Sequence, residues 1–220
     1  LEGFAVRGTN KIPVQTLINT KSVPDTITYT IIPSYDGCTG PASKYTIIIH
    51  PLPTATISGG KTACYGSTSM LNVKLTGLAP WTITYTDGKT PVTISRIGNS
   101  DFTFNVTSDS TRTYKILSVS DALSCTNTGT GTATIVQPSA AIKATATSID
   151  VNCYGENTGA IQVGTVTGGF GTYEYSIDRG KTWQSNKKFS GLASGTYQVY
   201  VRDAQYPECI SLIAPDILIN

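Results

Sequence analysis

The sequence is poor in charge: of its 220 residues only 14% are Asp, Glu, Lys or Arg, and the formal net charge is +2. Ordinary soluble domains carry roughly 25% charged residues. Proteins that bind nucleic acid present a strongly basic surface, because they neutralise phosphates. A weakly charged, nearly balanced chain has no such surface, and we expect no nucleic-acid partner.

Histidine is also scarce, since His50 is the only one. It stands beside Pro51 in a segment that joins two predicted units, which is a poor place to hold a nucleophile and a base in register. Two carboxylates can hydrolyse a glycosidic bond without histidine. However, Asp36, Asp87 and Asp178 fall at predicted hairpin ends, where aspartate makes turns. We therefore expect no enzyme activity and no cofactor.

Metal-binding patterns are missing as well. The five cysteines include no CxxC pair, and no run of closely spaced acidic residues offers converging oxygen ligands for calcium. We expect no metal site. Cysteines that lie far apart indicate instead disulfides formed in an oxidising compartment.

Long apolar runs are lacking too. Stretches such as Ile47-Ile48-Ile49 are far shorter than the roughly 18 residues of a membrane-spanning helix. The first residues do not show a basic segment followed by an apolar one, which is the pattern of a signal peptide. We expect no membrane insertion, and we expect the chain to be an internal piece of a longer protein.

What the sequence does have is a period of two in its hydrophobicity. Trp81, Ile83 and Tyr85 alternate with threonines, and Asp87-Gly88 after them is a strong hairpin signal. Gly168-Gly169 marks a further turn, expected to be a flexible hairpin connection. Strands with one apolar and one polar face are typical of antiparallel sheets packed into sandwiches. We predict an all-β fold of tandem immunoglobulin-like or PKD-like sandwich units.

Internal repetition divides the chain into units. Cys64-Tyr65-Gly66 returns 89 residues later as Cys153-Tyr154-Gly155. Each copy is followed by a Thr-Gly step, a hairpin aspartate, an Asp-Ala step and a closing cysteine, which is Cys125 in one copy and Cys209 in the other. Proline-containing linkers separate the units. The predicted units are a partial first unit over 1–52, a middle unit over 53–138 and a third unit over 139–220.

The same alignment predicts the disulfides. Each Cys-Tyr-Gly turn opens a unit and each closing cysteine ends it, so equivalent positions should make equivalent bonds. We predict that Cys64 bonds Cys125 and that Cys153 bonds Cys209. Cys38 matches the closing cysteine of the first unit, and we expect it to be unpaired. Closing a loop of about 60 residues stabilises a unit by about 4 kcal/mol in the chain-entropy model.

The third unit carries a series of motifs that resembles the SprB repeat of gliding adhesins of Bacteroidetes. The motifs are Cys153-Tyr154-Gly155, Gly159-Ala160-Ile161, Thr167-Gly168-Gly169, Tyr173-Glu174-Tyr175-Ser176-Ile177-Asp178, Phe189-Ser190-Gly191-Leu192, Gly195-Thr196-Tyr197 and Val201-Arg202-Asp203-Ala204. The middle unit, with Leu75-Thr76-Gly77 and Val119-Ser120-Asp121, resembles the PKD-like repeats that accompany it. The first unit, with Gly37-Cys38-Thr39-Gly40, resembles the end of another PKD-type repeat.

The resemblance implies a function. SprB-type adhesins are very long filaments of tandem sandwiches, exported by the type IX secretion system and carried along the outer surface by the gliding motor. It implies that this chain is a non-enzymatic repeat segment outside the outer membrane, in a protein that mediates attachment and gliding motility. Polysaccharide or a substratum surface is then the expected partner, and the full-length protein contacts the gliding and secretion machinery. We expect the fragment itself to be a monomeric rod.

A second function remains open, because PKD-type sandwiches also occur as accessory carbohydrate-binding or spacer modules of secreted glycan-degrading enzymes. Sugar binding in such modules uses exposed aromatic rings. Trp81 shares its face with Ile83 and Tyr85, which favours core packing over ligand binding. Trp183 follows a predicted hairpin and is the candidate ligand contact. A linear cleft with two or more exposed aromatic residues would favour this second function.

Overall fold

The computed structural model of the chain describes residues 11–12 and 14–220, and these residues form strands but no helix. No helix in this part of the chain is long and apolar enough to cross a membrane. The strands pair almost entirely antiparallel and form separate sheets around two apolar cores. The predicted all-β fold of antiparallel sandwich units is confirmed.

The first unit is a strand pair with a short hairpin inserted in it. Its strands are β1 (Asp25–Ile31), β2 (Ser34–Tyr35), β3 (Cys38–Thr39) and β4 (Ser43–Ile49). β1 pairs antiparallel with β4, and β2 pairs with β3 across the two-residue turn Asp36-Gly37. Both turn residues have positive φ, as a turn of this length between twisted strands requires.

The middle unit is a sandwich of two sheets. Its strands are β5 (Thr54–Ser58), β6 (Lys61–Thr62), β7 (Thr68–Thr76), β8 (Trp81–Thr86), β9 (Val92–Ile97), β10 (Asp101–Thr107), β11 (Arg112–Ser120), β12 (Thr126–Asn127) and β13 (Ala133–Val136). One sheet has the order β10-β7-β5. The other has the order β6-β13-β11-β8-β9, and β12 pairs with β11.

The core of the middle unit follows the period of two. Alternate residues of β7 are buried, among them Leu71 and Val73, and they face Trp81 and Ile83 of β8. Trp81 is 5% exposed, which confirms the core position that its strand pattern favoured. A register shift in β11 after Ile116 interrupts the alternation of that strand. The burial of one face of each sheet against the other is the main stabilising force of such a unit.

The third unit is a second sandwich. Its strands are β14 (Ala146–Ile149), β15 (Gly159–Val163), β16 (Tyr173–Ser176), β17 (Lys188–Leu192), β18 (Gly195–Asp203) and β19 (Ile210–Ile219). The two sheets have the orders β14-β15-β17 and β16-β18-β19. Tyr175, Val199 and Val201 are each at most 2% exposed and lie in its core. This core is separate from that of the middle unit, and the exact boundaries of the three units remain predictions.

The glycine pair Gly168-Gly169 differs from its expected role as a flexible hairpin connection. The Gly169 N–H donates to the Ala140 carbonyl at 3.0 Å, and Thr167, which precedes the glycine pair, exchanges two backbone hydrogen bonds with Lys143. Gly168 has φ +76°, and a Cβ atom there would lie 2.0 Å from the Ala141 carbonyl oxygen. The glycines are therefore needed because the incoming chain packs directly against this turn.

Candidate functional site

The junction between the middle and third units is the candidate site, and one cysteine from each unit meets there. Each unit has two ends. We name the end at which the chain enters the unit the leading end, and we name the opposite end the trailing end. β6 runs parallel to the last strand β13, and the Ala63 N–H donates to the Val136 carbonyl at 2.9 Å. Cys64 follows directly, so it lies at the trailing end of the middle unit.

Cys209 lies at the leading end of the third unit, on a loop that Asp203 holds in place. The Asp203 N–H donates to the Cys209 carbonyl at 3.1 Å. The Asp203 carboxylate, which has no exposed surface, accepts hydrogen bonds from the Phe170 N–H at 2.7 Å and the Gln205 N–H at 3.0 Å. The Phe170 ring packs against Tyr206 of the same loop at 4.5 Å between centroids. One buried carboxylate thus fixes both the loop of Cys209 and the loop opposite it.

Cys64 and Cys209 form a disulfide across the junction. Their Cα atoms are 5.3 Å apart, and the bond closes a sequence separation of 145 residues. Tyr65 and Phe170 line a cleft of about 140 Å³ beside it. In the chain-entropy model a loop of this length stabilises the folded chain by about 5 kcal/mol. The bond joins two units that have separate cores, so it fixes how the third unit follows the middle one.

The predicted pairing of Cys64 with Cys125 is therefore wrong. Cys125 lies at the leading end of the middle unit, where its carbonyl accepts from the Asp121 N–H at 3.1 Å and where Asn127 donates to the Pro53 carbonyl. Strand β11 has nine residues and runs between the two ends, a distance of about 26 Å at 3.3 Å per residue. Disulfides join Cα atoms no more than about 7 Å apart, so these two cysteines cannot meet.

The predicted pairing of Cys153 with Cys209 is wrong for the same reason. The Val151 N–H donates to the carbonyl of Asn220, so Cys153 lies at the trailing end of the third unit. Cys209 lies at the leading end. In this structure Cys125 and Cys153 are unpaired, and Cys38 is unpaired and exposed.

The repeat alignment nevertheless matched positions that are structurally equivalent. Asp121 of the middle unit is structurally equivalent to Asp203 of the third unit. Its carboxylate accepts hydrogen bonds from the Leu123 N–H at 3.0 Å and the Cys125 N–H at 3.1 Å. It is 8% exposed. Sequence reasoning used this aspartate only as an alignment mark. Its recurrence a few residues before each closing cysteine is the signal that could have identified a loop-holding residue.

The hairpin aspartates make turns. Asp87 accepts the Lys89 N–H at 3.0 Å. Asp178 accepts from the Thr182 hydroxyl at 2.6 Å and backbone N–H at 3.0 Å, and also from the Ser176 hydroxyl at 2.7 Å. These hydrogen bonds, with those of Thr182 the strongest, lower the pKa of Asp178 to about 2. Both aspartates therefore serve turn formation.

Trp183 is the residue for which a ligand contact was predicted, and it ends the Asp178 hairpin. It is partly buried, and its indole N–H donates to the Gly180 carbonyl at 2.9 Å. The guanidinium of Arg202 lies 4.3 Å from its ring centroid and is held by Glu174 at 2.6 Å. One face of the ring is thus occupied by a cation–π contact. The ligand contact at Trp183 stays a prediction.

The remaining candidate chemistry is sparse. His50 is exposed and lies beside the linker. Among residues 11–12 and 14–220, no group of three or more His, Cys, Asp or Glu side chains is placed to hold a metal ion. The junction between the middle and third units, where the Cys64–Cys209 bond joins them, therefore remains the candidate site of the described chain.

Comparison with protein families identifies two segments of the chain. The family model described as PKD-like domain matches residues 2–53. Residues 145–182 match the SprB repeat. The SprB segment contains the Gly168 turn and the Asp178 hairpin, while Cys209 lies beyond it. The resemblance found in the sequence is confirmed at these two segments.

Comparison with whole proteins adds less. None of the curated proteins compared with the chain matches it. One similar structure comes from work on the host cell surface retention of a 1.5-MDa bacterial ice-binding adhesin. Its sequence is 16% identical to this one, the match covers 88% of this chain and 72% of that chain, and the TM-score is 0.39. A marsupial T cell receptor is 10% identical, covering 76% and 100%, with a TM-score of 0.30. Both TM-scores are below 0.5, so neither structure establishes the fold or the function of this chain.

Proposed function

We propose that the chain is a non-enzymatic, load-bearing repeat segment of a very long cell-surface adhesin. The observation that carries the proposal is the Cys64–Cys209 bond, because it ties one sandwich to the next at their junction. A surface filament that transmits traction needs units that do not separate or unfold under load. The PKD-like and SprB matches support an adhesin segment as the place for such a tie.

The finer proposal concerns where and how the adhesin acts. It lies outside the cell, on the exterior of the outer membrane, after export by type IX secretion. It attaches the cell to a substratum or polysaccharide and takes part in gliding motility. A structural disulfide is compatible with this location, since disulfides persist in oxidising extracellular compartments. Antibodies against the third unit should label intact cells that make the full-length protein, and labelled sites should move along gliding cells; labelling only after cell lysis would contradict the proposal.

The shape of the fragment tests whether its three units lie end to end. A compact globule of 220 residues has a radius of gyration of about 17 Å. Three units placed end to end, each taken as about 30 Å long from the nine-residue strands of the middle and third units, give a radius of gyration of about 26 Å. Small-angle X-ray scattering on the oxidised monomer should therefore return a value close to that of the rod. A value near 17 Å would contradict the proposed monomeric rod.

Carbohydrate binding by an accessory module of a glycanase is the competing function. Trp183 has the Arg202 guanidinium against one ring face, so a sugar ring would have to stack on the opposite face. A glycan-array screen of the chain, with Trp183→Ala as the matched variant, separates the two functions. Binding that is lost in the variant would favour the carbohydrate-binding array; the load-bearing segment predicts identical arrays for both proteins.

A further inference from the structure

The trailing end of the third unit repeats that of the middle unit. In the middle unit the Ala63 N–H donates to the Val136 carbonyl at 2.9 Å, and Cys64 follows. In the third unit the Val151 N–H donates to the Asn220 carbonyl at 3.0 Å, and Cys153 follows two residues later. In both units the opening cysteine is therefore set beside the last residues of the unit's final strand.

The Cys-Tyr-Gly turns of the two units have the same geometry. In each, the residue after the glycine donates its N–H to the cysteine carbonyl at 3.1 Å, Ser67 to Cys64 and Glu156 to Cys153. Each glycine has positive φ, +67° in the first turn and +82° in the second. The two turns therefore present their cysteine and tyrosine in the same way.

The two turns differ in what covers them. Cys64 is bonded to Cys209, whereas Cys153 is exposed and unpaired. Tyr65 is 41% exposed and lines the cleft against the third unit. Its equivalent, Tyr154, is 103% exposed. The third unit thus ends in a copy of a surface that, one unit earlier, receives a following sandwich.

We propose that Cys153 and Tyr154 form the docking site for a further sandwich unit, whose closing cysteine forms a disulfide with Cys153. The partner is a unit with the features of the third unit's leading end: a closing cysteine on a loop held by a buried aspartate. The observed bond between Cys64 and Cys209 is the template for this one. The proposal rests on the geometry of the repeats and does not require that the chain is an adhesin.

Bond formation requires an oxidant, and a small-molecule disulfide such as oxidised glutathione supplies it. The Cys153 thiolate attacks one sulfur of that disulfide and releases one glutathione thiolate. The thiolate of the incoming cysteine then attacks the Cys153 sulfur of the mixed disulfide and releases the second glutathione. Two protein thiols are oxidised by two electrons, and their two protons end on the two glutathione thiols.

The test extends the whole chain by a second copy of residues 137–220, placed after Asn220. The added copy begins with the same linker that joins the middle and third units. After equilibration in a glutathione redox buffer, reactive thiols are counted by alkylation and bonds are assigned by non-reducing peptide mapping. The parent chain has three unpaired cysteines. The extended chain should have three as well, since Cys153 and the added Cys209 consume each other, and mapping should recover that linked peptide.

Five reactive thiols in the extended chain in place of three would overturn the proposal, and so would a disulfide that joins Cys153 to a second molecule. Cys153→Ser in the original third unit is the matched control and should leave the added Cys209 reactive. If circular dichroism shows that the added unit is unfolded, a second extension with residues 50–220 replaces it. There the proposal requires a bond between Cys153 and the added Cys125, and a reactive Cys153 in a folded protein would again overturn it.

Discussion

The Cys64–Cys209 bond changes how the chain responds to tension. A force applied between the two chain ends passes from Cys64 to Cys209 through the sulfur–sulfur bond, because this covalent path is far shorter than the 145 residues between them. Strands β7 to β18 lie inside the closed loop and are shielded from the force. Only the residues before Cys64 and those after Cys209 are able to extend.

The length that is held back follows from chain geometry. A fully extended chain spans about 3.3–3.6 Å per residue, so the closed loop of 145 residues withholds about 500 Å of contour length. Cys64→Ser opens the loop and makes that length available once the two cores unfold. The same substitution removes the loop constraint on the unfolded chain, a loss of about 5 kcal/mol in the chain-entropy model.

Single-molecule force spectroscopy measures this length directly. The chain is held by handles at its two ends and stretched to full extension, with and without a reducing agent. We expect the oxidised chain to be about 500 Å shorter at full extension than either the reduced chain or Cys64→Ser. Cys125→Ser is the matched control, because it removes a cysteine of the same repeat without touching the bond. Equal extension of the oxidised chain and Cys64→Ser would refute the reasoning.

Three further predictions concern the third unit. Asp203→Ala removes the buried carboxylate that accepts hydrogen bonds from the Phe170 and Gln205 N–H groups, so it should lower the free energy of unfolding by about 2–4 kcal/mol in urea denaturation. Gly168→Ala should destabilise far more than Gly171→Ala in thermal melts: both positions have positive φ, but only the first brings a Cβ within 2.0 Å of the Ala141 carbonyl oxygen. Asp178 has a folded-state pKa lowered from 3.8 to about 2, so its contribution to stability is present above pH 4 and is lost as the pH falls through 2. Urea midpoints measured from pH 5 to pH 2 should therefore fall more steeply for the native chain than for Asp178→Asn.

Each of these predictions has a control. Asp216→Ala changes an exposed aspartate of β19 and should leave the urea midpoint almost unchanged; a similar loss in both variants would remove the special role of Asp203. Equal melting temperatures for the two glycine variants would show that the incoming chain does not press on Gly168. Parallel pH profiles for the native chain and Asp178→Asn would show that the hairpin hydrogen bonds do not favour the ionised carboxylate.

Local patterns predicted much of the fold. The alternation around Trp81 placed it in the core, and the Asp-Gly step after β8 marked a hairpin, because both signals depend on a few neighbouring residues. The order of features in the repeat alignment also matched equivalent positions, as Asp121 and Asp203 show by their hydrogen bonds to the closing-cysteine loops. Gly168 was recognised as a turn but not as a contact, since the chain that packs on it enters from the linker.

The disulfide could not be read from the repeat alignment alone. Equivalent cysteines make equivalent bonds whether the bond lies within a unit or between successive units, so the alignment does not choose. The choice depends on which end of the sandwich each cysteine occupies. Between Cys64 and Cys125 the chain runs through five long strands, β7 to β11, and an odd number of antiparallel strands leaves the two cysteines at opposite ends. That count would have excluded the bond within the unit.

Non-reducing peptide mapping of the native chain tests the central claim most directly. The chain is alkylated to block free thiols, digested without reduction and analysed by mass spectrometry. The account predicts one linked peptide pair containing Cys64 and Cys209, with Cys38, Cys125 and Cys153 recovered in alkylated form. A linked pair of Cys64 with Cys125, or of Cys153 with Cys209, would contradict it and would place the bonds within single units.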